Sequence, residues 1–261
     1  SYTPQLLCKP LSAKYHFRYY FNVTEIVLPM SATIGDPGAF TNELGVSNFS
    51  YHNVPNQWPP NTRPVYDLKC PSMGMKATAR DFEKQADIIA NAIKQCPPTW
   101  SGVVHVTRKT EAVLLSQRLA RRGLRNRVWT PGIRDGTNIQ MREWEKKKKS
   151  ISPLGAIAIT WAWWEGVDLC DERICIVAKT PFPSIGGSYE RARMHYSGKT
   201  YLWRTAIGLE QGLGRTRRGE PEDYDLGNDK NQLVAIADGG WTRVRNYISG
   251  DLSEAIVPWP G

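Results

Sequence analysis

Residues 156–178, AIAITWAWWEGVDLCDERICIVA, decide the fold. The runs AIAIT at 156–160 and RICIVA at 173–178 are short and apolar, which is the pattern of strands buried on both faces of a sheet. Working outward, the same pattern recurs at VYDL 65–68, GVVHVT 102–107, NRVWT 126–130 and QLVAIAD 232–238, the last strand expected. Helical periodicity fills the intervals. Phe82, Ala86, Ile89 and Ile93 fall on one face of a helix over 79–95, with Thr78 placed to cap it. Ala112, Leu115 and Leu119 point inward from a helix that runs to Arg122 and stops at Gly123. Residues 137–149, 189–197 and 200–210 also read as helical. Strands alternating with helices predict an α/β fold, a parallel sheet with helices on both faces.

The first 60 residues read differently. They are loop-rich around one apolar strand, Ile26-Val27-Leu28, which leads into MSATIG at 30–35. Prolines 55, 59, 60 and 64 mark an extended connector.

The chain of 261 residues is long enough to bury a core without disulfides or metals. Its 34 Lys+Arg against 25 Asp+Glu leave a formal charge of +9, which fits a polyanionic partner but equally a basic solvated surface. The basic clusters are Arg118 to Arg127 and Lys146 to Lys149. Cys8, Cys70, Cys96, Cys170 and Cys175 form no CxxC pair, so a zinc or iron–sulfur site within the chain is not expected and buried free thiols are. No apolar run is long enough for a membrane helix. The chain opens at Ser1 with no signal peptide, which reads as a fragment or processed product.

Three strings bear on chemistry. YSGKT at 196–200 ends like a phosphate-binding loop, but the glycine needed five residues before Gly198 is Arg193, so it reads as a decoy. WWEGVDL at 163–169 follows a strand, where ligands sit in parallel α/β sheets. Glu165 and Asp168 place two carboxylates there and Gly166 permits close backbone approach; the alternative is a tight turn with core tryptophans. In QGLGRTRRG at 211–219, Gln211 and Arg215 share a helical face and Arg218 follows one turn later. Guanidinium forks so placed suit a triphosphate, since they bind phosphate oxygens bidentately.

The order MSATIG, GVVHVTRKTEA, WWEGVDL, PFP and QGLGRTRRG resembles the C-terminal half of superfamily 2 helicases, in particular DinG/XPD-like DNA helicases, over about residues 20 to 240. The resemblance implies a RecA-like second motor lobe over 63–261, with 1–62 as the tail of a first lobe. In that tail Ser31, Ala32 and Thr33 match motif III. It implies that Arg215 and Arg218 are catalytic and that Gln211, Gly214, Glu165, Gly166 and Asp168 bind or couple the nucleotide. Thr107, Arg108 and Thr160 are implied at the nucleic-acid backbone. ATP and Mg2+ would be shared with the first lobe, and single-stranded DNA or RNA would be the other partner. No iron–sulfur cluster and no membrane are expected. The location implied is cytoplasmic, or nuclear in a eukaryote. The Walker A loop and the Asp-Glu-x-His box of the family are not in the sequence, so hydrolysis by this chain alone is not expected. Two other readings remain open: a stand-alone nucleic-acid-binding module, and a small-molecule nucleotide enzyme that uses YSGKT.

Overall fold

The computed structural model describes residues 10–24, 26–31, 33–54, 64–132, 137–164, 167, 169, 172–215 and 232–260. Helix α1 (Lys14–Val23) and helix α2 (Pro37–Leu44) come first. Asp36 caps α2 by accepting from the N–H of Gly38, and Pro37 sits in the first turn, where its missing N–H costs nothing. Strand β1 (Val65–Asp67) then enters the sheet. Helix α3 (Ala79–Gln95) begins at a reciprocal cap between Thr78 and Asp81.

Strand β2 (Gly102–His105) leads to α4 (Lys109–Leu119). A wider turn, Ala120–Leu124, follows, in which Gly123 takes φ +86° and ends the helix. Next come β3 (Val128–Trp129), α5 (Thr137–Ile151), β4 (Ile157–Thr160) and β5 (Ile174–Val177). The chain closes with α6 (Ser188–Tyr196), α7 (Gly198–Leu213), β6 (Leu233–Ile236), a tight helical stretch Gly239–Tyr247, α8 (Gly250–Ala255) and β7 (Ile256–Pro258).

Among the described residues, seven strands form one sheet in the order β3-β4-β2-β5-β6-β1-β7, and every pairing is parallel. Consecutive residues of a strand face opposite sides. Val104, Ile159, Ile176 and Ala235 thus pack with Ala86, Ile89 and Ile93 of α3 and Ala112, Leu115 and Leu119 of α4. Val103, Ala158, Cys175 and Val234 pack on the other side with Trp144 of α5, Ala206 and Leu209 of α7, and Val244. Both faces are covered, which is why these strands show no alternation of apolar and polar residues.

Side chains knit the carboxyl edge of the sheet together. The buried Asp238 accepts from the N–H groups of Met73 at 2.7 Å, Thr180 at 2.8 Å and Gly240 at 2.8 Å. Gln85 of α3 donates to the carbonyls of Ala178 and Ala237, bridging the segments that leave β5 and β6.

Two expectations need correction. Ile26-Val27-Leu28 pairs with no strand among the described residues; Ile26 is 85% and Leu28 76% exposed. Apolar composition makes a strand only where the segment lies along a partner's edge, and this one is paired with no described strand. QLVAIAD is not the last strand, because β7 adds beyond β1. Its three residues are too few for a periodic signal, and Pro258 is tolerated because the strand lies at the sheet's edge. The proline-rich connector at 55–63 lies outside the described residues.

Candidate nucleotide and nucleic-acid site at the carboxyl edge

Strand β4 ends at Thr160, whose buried hydroxyl accepts from the N–H of Ala162 at 3.1 Å. The chain then delivers two adjacent tryptophans to different partners. Trp163 is fully buried, donates from Nε1 to Gln140 Oε1 at 2.9 Å and lies 5.9 Å from Trp129 and 6.0 Å from Trp144, ring centre to ring centre. Trp164 reaches across the sheet edge instead. Its Nε1 donates to the carbonyl of Val106 at 2.9 Å, and its ring lies 4.8 Å from the His105 ring.

Helix α7 brings the QGLGRTRRG string to the same place. Ser197 caps the helix by accepting from the N–H of Thr200 at 3.2 Å. Ala206, Leu209 and Leu213 hold its inner face on the sheet. At the far end Arg215 is 6% exposed. Its Nε donates to the carbonyl of Trp164 at 2.7 Å and its Nη1 to that of Val167 at 3.4 Å. Gln211 is half-buried on the last turn and Gly214 is exposed just beyond it. The structure therefore brings Arg215 to the WWEGVDL string. Glu165, Gly166, Asp168, Arg217 and Arg218 lie outside the described residues, as does Ala32 of MSATIG.

YSGKT adopts no strand–loop–helix form. Helix α6 leads directly into α7, and Gly198, Lys199 and Thr200 form the first turn of α7. Thr200 is buried against its cap.

At the end of β2, Thr107 donates from N and Oγ1 to Glu111 Oε2 at 3.2 and 3.0 Å, and the N–H of Arg108 joins them at 3.0 Å. Lys179, just past β5, forms an ion pair with the same carboxylate. Thr107 is thus tied to the first turn of α4 through Glu111, while the Arg108 side chain is exposed. Beneath Trp164, His105 is fully buried and neither ring nitrogen has a partner. Burial, reinforced by the charge of Arg215, pushes the imidazole down to about 3, so it is neutral at ordinary pH.

Several members of the two basic clusters are engaged within the fold. Arg118 and Arg122 reach Glu83 at 2.9 and 2.8 Å, and Arg122 also reaches Asp87 at 2.6 Å. Arg127 is buried and donates to the carbonyls of Gly155 and Trp100, both at 2.7 Å. Lys146 pairs with Glu143, Lys148 with Glu145 and the buried Glu172, and Lys147 donates to the carbonyl of Asn126. Spacing along a sequence does not show that the carboxylates of α3 lie opposite the arginines that follow α4.

Cys70 and Cys175 are buried free thiols and Cys96 is half-buried. Burial and the neighbouring Asp238 carboxylate push the Cys70 thiol up to about 12. Among the described residues no group of three or more His, Cys, Asp or Glu side chains is placed to hold a metal ion. No described helix is long and apolar enough to cross a membrane.

The sequence matches no family model and no curated protein. Solved structures similar to the chain include two helicase-related ones. One is the C-terminal domain of S. cerevisiae Dbp5 bound to Gle1 and IP6, with 14% identity, a TM-score of 0.46, and coverage of 75% of this chain and 89% of that one. The other is Xpd4 of S. tokodaii, with 16% identity, a TM-score of 0.50, and coverage of 93% of this chain and 56% of that one. At such identity the likeness is one of fold. The likeness to Xpd4, together with the all-parallel sheet and its flanking helices, shows a RecA-like α/β fold.

Proposed function

We propose that the chain is the second motor lobe of an ATP-dependent, DinG/XPD-like DNA helicase. The observation that carries this reading is the meeting of Arg215 with the carbonyls of Trp164 and Val167 at the carboxyl edge. Ligands of open parallel sheets bind at that edge, so two strings far apart in sequence converge where a nucleotide or a nucleic-acid strand would lie.

In this reading ATP sits between this lobe and a first one. Arg218 offers its guanidinium to the transferring phosphoryl group, and Gln211 and Gly214 frame the approach. Mg2+, when bound, would neutralise charge on the phosphates. In this reading the ligands of the ion belong to the first lobe. A single strand of DNA passes over the ends of β2 and β4, where Arg108 is the exposed cation.

The N-terminal portion supports a two-lobe arrangement. Ile26, Leu28 and Met30 are exposed, as are Tyr15, Tyr19 and Tyr20 of α1, an unusual run for a surface that meets only water. The next segment is anchored to the sheet domain. Trp203 Nε1 donates to the carbonyl of Ile34 at 2.7 Å and Arg193 pairs with Glu43 at 2.7 Å. Residues 1–62 then form the tail of the first lobe, held to the second through α2 and α7.

Titration of a labelled oligothymidylate at about 50 and about 200 mM salt tests the nucleic-acid half of the proposal. Weak binding, micromolar or looser, that falls steeply with salt is expected from the few phosphate contacts of half a track. Binding that ignores salt, or none at low salt, counts against it.

A further inference from the structure

Arg215 belongs to the string assigned to the nucleotide, yet its side chain is turned inward. Two of its N–H groups already serve main-chain carbonyls, and burial removes it from solvent. A buried guanidinium is stable only where hydrogen bonds replace its lost water. Here the segment after β4 supplies them. The Nε and Nη1 groups engaged in this way are not presented to a phosphate for bidentate recognition.

Trp164 is engaged through its backbone as well as its ring. Trp164 accepts from Arg215 at its main-chain carbonyl, donates from its indole N–H to the carbonyl of Val106 just past β2, and holds its ring tilted against that of His105. The ring also lies against Gly212 of α7, where a Cβ would stand 2.6 Å from Cζ3. His105 completes the joint without a hydrogen bond of its own.

We propose that Arg215 is a positioning residue that acts through Trp164, locking the end of α7 to the end of β2, where Thr107 and Arg108 stand. A displacement of α7 during the nucleotide cycle is thereby passed to the strand-binding edge as a movement of one indole. The connection between the two ligands rests on the helicase reading; the lock itself does not.

The test uses the full chain and two readouts. Indole N–H exchange is followed by NMR in the parent and in Arg215→Ala and Arg215→Lys. The Trp144 and Trp163 indoles, bonded to Glu172 and Gln140, serve as internal references. In Arg215→Ala the Trp164 indole is expected to exchange about tenfold faster or more, as befits loss of a charge-assisted hydrogen bond, with the references unchanged. Arg215→Lys, which keeps the charge but not the fork, should fall between.

Oligothymidylate affinity should drop in Arg215→Ala while the slope of log affinity against log salt stays the same, because no phosphate contact is lost. A slope reduced by about one unit assigns Arg215 directly to a phosphate and overturns the proposal. Unchanged Trp164 exchange overturns it too, as does faster exchange with unchanged affinity. If the parent binds no oligothymidylate at any salt, the helicase reading fails on its own and the exchange comparison alone decides whether the lock exists. Should Arg215→Ala not fold, the same comparison is made with Arg215→Lys.

Discussion

The indole of Trp164 and the backbone of Gly212 are in such close contact that a Cβ at residue 212 would stand 2.6 Å from Cζ3 and 2.7 Å from Cε3. Alanine in a helix interior normally gains up to about 1 kcal/mol over glycine. Here that gain is set against overpacking, which costs about 1–3 kcal/mol. Gly212→Ala is therefore expected to lower the midpoint of urea unfolding. Gly198→Ala, where a new Cβ meets nothing within 4 Å, should not. Equal midpoints for the two variants would show that Trp164 moves aside freely.

The His105 ring makes stability depend on pH. Its folded value of about 3 lies below the ordinary 6.5, so the unfolded chain binds the proton more readily. Stability is complete above about pH 6.5 and is lost as the pH falls towards 3, with about 2 kcal/mol gone by pH 5. Half-buried Glu210 has the opposite sign, because desolvation raises its carboxyl and protonation relieves the fold. His105→Phe loses no hydrogen bond, so it should fold and flatten the dependence between pH 7 and 5. An unaltered pH profile in that variant would assign the acid sensitivity elsewhere.

The ion pairs at Glu83 separate two arginines that composition treats alike. Arg108 is exposed at the end of β2, while Arg122 is held by Glu83 and Asp87. Arg108→Ala should weaken oligothymidylate binding and reduce the salt slope by about one, whereas Arg122→Ala should leave the slope alone. The reverse order would place the strand on the α3–α4 face.

Much of the sheet was legible because strands buried on both faces leave continuous apolar runs. Val103, Val104, Ile157 and Ile159 announce themselves in this way. The helix over 79–95 was legible too, since its cap, period and stop all agree. What the sequence could not show was the set of partners. Nothing in the order Trp163-Trp164 says that one indole enters the core and the other bridges to Val106. Nothing in the spacing of Arg215 says that its fork meets backbone rather than solvent. The strand expected at Ile26-Val27-Leu28 failed for a related reason, since a strand is defined by its neighbour as much as by its composition.

The phosphate-like string at 196–200 gives a further expectation. Lys199 stands in the first turn of a helix that follows another helix, with no cradle of backbone amides in front of it. Magnesium-ATP mixed with this chain and single-stranded DNA should release phosphate only at background, and Lys199→Ala should change nothing. Turnover abolished by Lys199→Ala would restore the string as a nucleotide site.

The motor assignment itself is tested most directly by steady-state ATP turnover with saturating single-stranded DNA, in a polypeptide where this lobe faces one carrying a phosphate-binding loop. Arg218→Ala should cut turnover severely, with about 10³–10⁵ as the scale for an arginine at a phosphoryl-transfer site. Arg217→Ala, outside the motif spacing, should stay near the parent, with thermal midpoints equal across the set. Equal damage from Arg217→Ala and Arg218→Ala at equal stability would reduce the effect to surface charge and contradict the assignment.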